Sequence, residues 1–276
     1  MSLCLITMFK NECHIMKEWL DHYISQGVDK FFMIDNNSTD NYFEILYPYM
    51  SNNLVDLILD SRKHSQVICY NEHFLEECKK YEWVIVCDLD EFIYARKGLK
   101  TIKEFLNSVN PSVSQVFIPW KLFGSSGFDT IEKEQPNSVI KGFIQRTNYD
   151  KKENFHGVLV SNEDKYSLSK SIVKTDKLIK FAVHCHETTD KNYITSDRKI
   201  HTNHGFAKIS EQILDDSFLH LNHYAIQSLK WFLEVKGTRG DIADNKYENL
   251  RNADYFKSYD DVSSDIFDLD LYNIAP

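Results

Sequence analysis

The chain has 276 residues, 41 acidic against 32 basic side chains, 42% hydrophobic and 13% aromatic content, and a formal charge of −9. At this length folding hides roughly three quarters of the unfolded chain's surface, so one substantial core forms without metal or disulfide staples, and disorder over most of the chain is excluded. The acidic balance also excludes a general binder of nucleic acid or anionic membrane, which needs a basic face.

Residues 2–9 are a short apolar run suited to a buried strand. Ile15, Trp19, Leu20, Tyr23 and Ile24 then recur at helical spacing, with Gly27 as the stop. Residues 30–35 (KFFMID) predict a second buried strand, and residues 36–40 are turn chemistry, with Asp40 placed to cap a helix running through Tyr49. Residues 54–59 predict a third strand. A helix with Tyr70, Phe74, Leu75 and Cys78 on one face leads into a fourth at 83–87. Strands alternating with helices in this way predict an α/β fold whose central sheet is mostly parallel and covered on both faces.

Beyond residue 100 the pattern loosens. Strands are predicted at 113–120 and 139–146, separated by the Gly/Ser loop FGSSGF (123–128), of the kind that moves or binds. Residues 148–164 read as a flexible connection and 218–224 as a strand. A helix carrying Leu229, Phe232, Leu233 and Lys236 ends at Gly237, and an acidic tail with Asp260, Asp261, Asp265, Asp268 and Asp270 reads as a solvated terminus. The six cysteines show neither a CxxC pair nor zinc-ligand spacing, which reads as buried thiols in a reducing compartment. No apolar run is long enough for a membrane span, and the first residues lack the layout of a signal peptide, so a cytoplasmic location is expected.

The sharpest feature is VIVCDLDEF at 84–92: an apolar strand delivers Asp88, Asp90 and Glu91 at its carboxyl end, where open α/β sheets bind ligands. Two carboxylates at this spacing suit one hard divalent cation, which can neutralise a diphosphate. The first and second strands end in acids too, Glu12 in KNE (10–12) and Asp35 in DNNSTD (35–40), able to accept hydrogen bonds from ribose or base. The aspartate spacing resembles the first motif of haloacid-dehalogenase phosphatases, in which Asp88 would be a nucleophile. Phe92 stands where that family has Thr or Val.

The order KNE, DNNSTD, CDLDEF resembles GT-A glycosyltransferases of family 2 and, more closely, the family 92 type and its bacterial relatives. Further matches are Gln66 with Tyr70 and Asn71, Trp120 with residues 123–127, Phe143 and Arg146, KSIV (170–173) followed by His184, and LNHY (221–224) leading to Ser228, Phe232, Lys236, Arg239 and Gly240. Gln227 departs, standing where relatives carry a basic residue.

The resemblance implies a GT-A domain over residues 1–240, with residues 1–100 the nucleotide-binding half and 101–240 the acceptor and catalytic half, followed by a helical or extended acidic tail at 241–276. It implies a metal-dependent, inverting hexosyltransferase that moves a sugar from a nucleotide-sugar donor, UDP-linked, to a hydroxyl of a glycan or glycoconjugate, with Mn²⁺ or Mg²⁺ as cofactor and no nucleic-acid partner. Carried over by position, Glu12 and Asp35 touch the nucleoside, Gln66 contacts the donor, and Asp88 and Asp90 handle the metal on the diphosphate. His223 is a further metal ligand, and Arg239 and Lys236 clamp the leaving diphosphate. Glu187, in HCHE (184–187), is the first candidate for the general base and Asp129 the second. Trp120 and Phe123 stack on a sugar face. A phosphohydrolase, and a nucleotide-sugar binding module without catalysis, are the alternatives.

Overall fold

Strands that read as unbroken apolar runs have both faces to bury, and a parallel sheet between two helical layers satisfies them. In the computed structural model, which describes residues 1–151, 157–161, 164–202, 205–239 and 251–275, these runs become β1 (Leu3–Phe9), β2 (Lys30–Asp35), β3 (Val55–Leu59) and β4 (Trp83–Val86), parallel in the order β3-β2-β1-β4. Alternate residues serve opposite faces. Leu3, Leu5, Phe31, Met33 and Ile85 pack with Trp19, Leu20 and Tyr23 of α1 (Cys13–Ser25). Cys4, Ile6, Phe32, Ile34 and Val84 pack with Tyr70, Phe74 and Cys78 of α3 (Gln66–Cys78). Between β2 and β3 lies α2 (Tyr42–Ser51).

Asp40 does not cap α2, which starts after Asn41 without a side-chain cap. Its carboxylate accepts the Cys13 amide at 2.8 Å and so supports the first turn of α1. Asn11, at φ +53°, donates its amide to Ser38 Oγ and accepts the Thr39 amide, stitching the ends of β1 and β2 together.

The second half completes the sheet. Strand Lys165–Lys174 runs antiparallel between β4 and β6 (Gln115–Leu122), and Tyr193–Thr195 continues beyond β6. After β4 the chain turns at 87–90 and starts β5 (Glu91–Ala95). This strand pairs antiparallel with Leu219–His223, which also runs parallel to β6. The predicted strand at 139–146 is instead the short helix Val139–Gly142 followed by the two-residue strand Gln145–Arg146. The described part of 148–164 includes the strand Val158–Val160, paired with Lys165–Lys174.

Two expectations about loops are corrected. The Gly/Ser loop is pinned: Ser125 donates both its amide and hydroxyl to Asp260, and Ser126 Oγ accepts the amides of Ile144 and Gln145. A Cβ at Gly124 would come within 2.6 Å of the Ser263 carbonyl oxygen, so the loop and the following helix touch backbone to backbone. The acidic segment is not a solvated terminus. Its helix Ala253–Ser263 buries Phe256 and Tyr259 against Phe232 and Ile226. Asp268, beyond it, meets Lys121 Nζ at 2.7 Å and Arg146 Nε at 2.6 Å, with Lys121 wholly buried. Gly240 and the boundary at 240/241 lie outside the described residues. Among the described residues no helix is long and apolar enough to cross a membrane, and all six cysteines are free thiols.

Two core histidines make stability depend on pH. Burial lowers His22 to about 4 and His186 to about 3, below the unfolded value of about 6.5. The unfolded chain therefore binds more protons between these values, and the stabilisation present above pH 6.5 is lost as pH falls towards 4. The urea midpoint of unfolding is expected to drop across that window. A flat profile from pH 7 to 4.5 would contradict it.

Candidate active site

The carboxyl ends of β1 and β4 open into a cavity of about 620 Å³, lined by Glu12, Gln66, Asp88, Asp90, His223 and Arg239, among others. The turn at 87–90 explains the DLD spacing. Leu89 is fully buried, which leaves the aspartates on either side of it directed to the cavity. His223 arrives by register, opposite Glu91 on one side and Leu122 on the other.

Each of the three cavity carboxylates faces a cation from the second half of the chain. Asp88 Oδ2 lies 2.8 Å from Lys170 Nζ, and its Oδ1 accepts Gln66 Nε2 at 3.1 Å. Asp90 Oδ2 is paired with Lys236. Glu12 Oε1 lies 3.2 Å from Arg239 Nη1. Burial alone would raise the Asp88 carboxyl, but Lys170 overrides it and holds it below the usual range. Asp90 is likewise held low, burial being outweighed by Lys236 and His223. Glu12 is the exception: its burial outweighs Arg239 and raises it. Glu91, fully buried behind the turn, is pushed up to about 8 by burial, with Lys170 opposing and Asp88 adding to it. Its Oε2 accepts the Asp88 amide at 2.9 Å.

The donor set suits a divalent cation at one point. Asp90 Oδ1 and His223 Nε2 lie 3.7 Å apart, too far to hydrogen-bond. Burial holds the imidazole neutral, its pKa lowered to about 3. A carboxylate oxygen and a neutral imidazole nitrogen at that spacing are compatible ligands for Mn²⁺ or Mg²⁺. Asp88, with both oxygens engaged, adds charge nearby. A grouping of three ligand-type residues, Asp60, Cys69 and His73, has its atoms within 4.8 Å of one another elsewhere. Arg62 already fills it, donating Nε and Nη2 to Asp60.

Four of the expected residues fall outside the cavity lining. Asp35 uses its oxygens on the Ser38 amide and the Tyr42 hydroxyl, closing its own turn, and Asn36 lines the cavity in its place. Glu187 is exposed on the two-residue edge strand Glu187–Thr188. Asp129 is exposed and paired with Lys133. Phe123 also turns away, into the core against Tyr224. Trp120 does line the cavity, its ring 4.1 Å from that of His223 and tilted by 45°, and edge-on to His184 at 5.4 Å. His184 and His186 part company: His184 lines the cavity, whereas His186 is buried against Phe181. Sequence reasoning missed Lys170 as a site residue: its strand reads KYSLSKSIVK, and nothing in that run sets this lysine apart from Lys165 and Lys174. It also missed Tyr255 and Tyr259, brought to the wall by the C-terminal helix.

Parallel strands in the order β3-β2-β1-β4, with acids at their carboxyl ends, make up an α/β fold with its cavity where the motifs implied one. The model of Glycosyltransferase family 92 matches residues 1–262, and the chain belongs to that family. A family 92 protein of Oryza sativa subsp. japonica is 31% identical over 52% of this chain and 25% of its own length. One of Ricinus communis is 24% identical over 84% of this chain and 37% of its own. The chain thus spans little more than a third of these relatives at most. Among solved structures, S. aureus TarS 1-349 aligns with 68% of this chain and 52% of its own at 16% identity and a TM-score of 0.39. The same TarS fragment in complex with UDP aligns with 63% of this chain and 47% of its own at 15% identity and a TM-score of 0.36.

Proposed function

We propose that this chain transfers a glycosyl group from a nucleoside diphosphate sugar, UDP-linked, to an acceptor hydroxyl with inversion, assisted by Mn²⁺ or Mg²⁺. The observation that carries the reading is the set of cation-matched carboxylates gathered at the strand ends in one cavity. Asp90 and His223 would hold the cation, which neutralises developing charge on the leaving diphosphate. Arg239 supports the same role: its Nε and Nη2 are buried without hydrogen-bond partners among the described residues, which leaves donors to offer phosphate oxygens. Trp120 offers an aromatic face for the sugar.

The base is reassigned to His184. Every cavity-lining carboxylate among the described residues is already engaged by a cation, and the first two candidates lie outside the lining. His184 Nδ1–H donates to the Ser169 carbonyl at 2.9 Å, which leaves Nε2 as the basic nitrogen. Burial lowers the imidazole to about 4, so it is unprotonated at neutral pH. His184→Gln is expected to lower kcat by about 10²–10⁴-fold with UDP affinity unchanged. Equal loss of UDP binding would assign His184 to the donor instead.

The reading as a whole is tested by calorimetric titration of UDP with Mn²⁺ and again with EDTA, followed by UDP-sugar hydrolysis assays. Metal-dependent binding with slow donor hydrolysis is expected. Binding without turnover of any donor would favour the non-catalytic module, and no binding in either condition would overturn the UDP assignment.

A further inference from the structure

The counter-charges of the two aspartates are mounted differently. Lys170 belongs to the central strand Lys165–Lys174, is 1% exposed, and serves both Asp88 and Glu91, the latter at 3.6 Å. It is built into the sheet. Lys236 instead sits on the three-residue turn Lys236–Thr238, and its flexible stem lines the cavity. Its ammonium occupies Asp90 Oδ2, while Oδ1 of the same carboxylate faces His223 Nε2.

A divalent cation at Asp90 and His223 would therefore share one carboxylate with an ammonium. Arg239 and Arg251 line the same cavity and add positive charge around Lys236. Two cations on one carboxylate in a water-poor site repel each other strongly.

Resting on the donor-site reading above, we propose that Lys236 is an exchangeable counter-charge: its ammonium holds Asp90 while no divalent cation is bound, and the cation displaces it into the cavity, where a diphosphate receives it. The acid is then never left buried and unpaired, and cation and diphosphate reinforce each other's binding. Lys170 takes no part in the exchange, because its strand and its second partner Glu91 keep it in place.

The test is calorimetric titration of Mn²⁺, with and without UDP, into the wild type, Lys236→Met and Lys236→Gln, with melting curves to establish folding. Without UDP, Mn²⁺ is expected to bind both variants at least about tenfold more tightly than the wild type, a change of ~1.4 kcal/mol. The extra tightening that UDP produces should be smaller in the variants than in the wild type. Gln keeps a hydrogen-bond donor for Asp90 and covers a failure of the Met variant to fold. Equal or weaker Mn²⁺ binding by a folded variant overturns the exchange while leaving the metal assignment standing. Absence of Mn²⁺ binding in all three proteins overturns both. Should neither variant fold, the wild type decides: Mn²⁺ affinity unaltered by UDP overturns the exchange.

Discussion

Asp90→Asn is expected to lower sugar transfer by at least about 10²–10³-fold, the scale seen when one preorganised electrostatic contact to a developing charge is removed. The substitution keeps the side chain's shape and deletes the charge that faces both Lys236 and His223. The expected signature is loss of the Mn²⁺-dependent part of UDP binding in a protein that still melts cooperatively. Transfer at the wild-type rate by a folded variant would sink the metal role of Asp90. Comparison with Asp88→Asn is informative, because Asp88 is tied to Lys170 and Gln66 and its loss should disturb the turn before it disturbs a cation.

The second large effect concerns stability. Asp268→Ala is expected to destabilise the fold by ~3–5 kcal/mol, the cost of leaving a buried cation without its partner. Lys121 has no exposure of its own, and Asp270, its other acid, is 3.9 Å away. Arg146 loses one of its two acids and keeps Glu211. Denaturant unfolding measures the change, and the double variant Lys121→Met with Asp268→Leu should recover most of it, since a packed apolar pair replaces a desolvated ionic one. A single variant within 1 kcal/mol of the wild type would show that the pair is hydrated and that the C-terminal segment is held by packing alone.

How much of this was legible beforehand follows from the range of the forces involved. The strand at 30–35 could be read to the residue, because a strand buried on both faces shows as an unbroken apolar run bounded by turn residues. The same logic misread 139–146, where an apolar run of that length does not separate a helical turn from a strand. Asp88, Asp90 and Glu12 were legible as a group because each follows an apolar strand, whereas His223, at the end of the mixed strand LHLNH, was reached only through the family resemblance. Asp129 and Glu187 were not, since their position depends on how the chain returns after the sheet is built. The acidic tail failed for another reason: counting charges ignores pairing, and Asp260 and Asp268 find partners more than a hundred positions away. Tyr255, Phe256 and Tyr259 at helical spacing were the signal that this segment packs.

That separation along the chain bears on how the molecule comes to exist. Asp88 waits 82 residues for Lys170, and Asp90 waits 146 for Lys236. During synthesis from the amino terminus the acidic half emerges first and carries clustered, uncompensated carboxylates until the later strands arrive. The first hundred residues therefore hold only the parallel β3-β2-β1-β4 part of the sheet, with β5 still unpaired and an electrostatically frustrated rim, so they are a poor candidate for a free-standing fragment. Closure of the site and closure of the fold become the same late, long-range event.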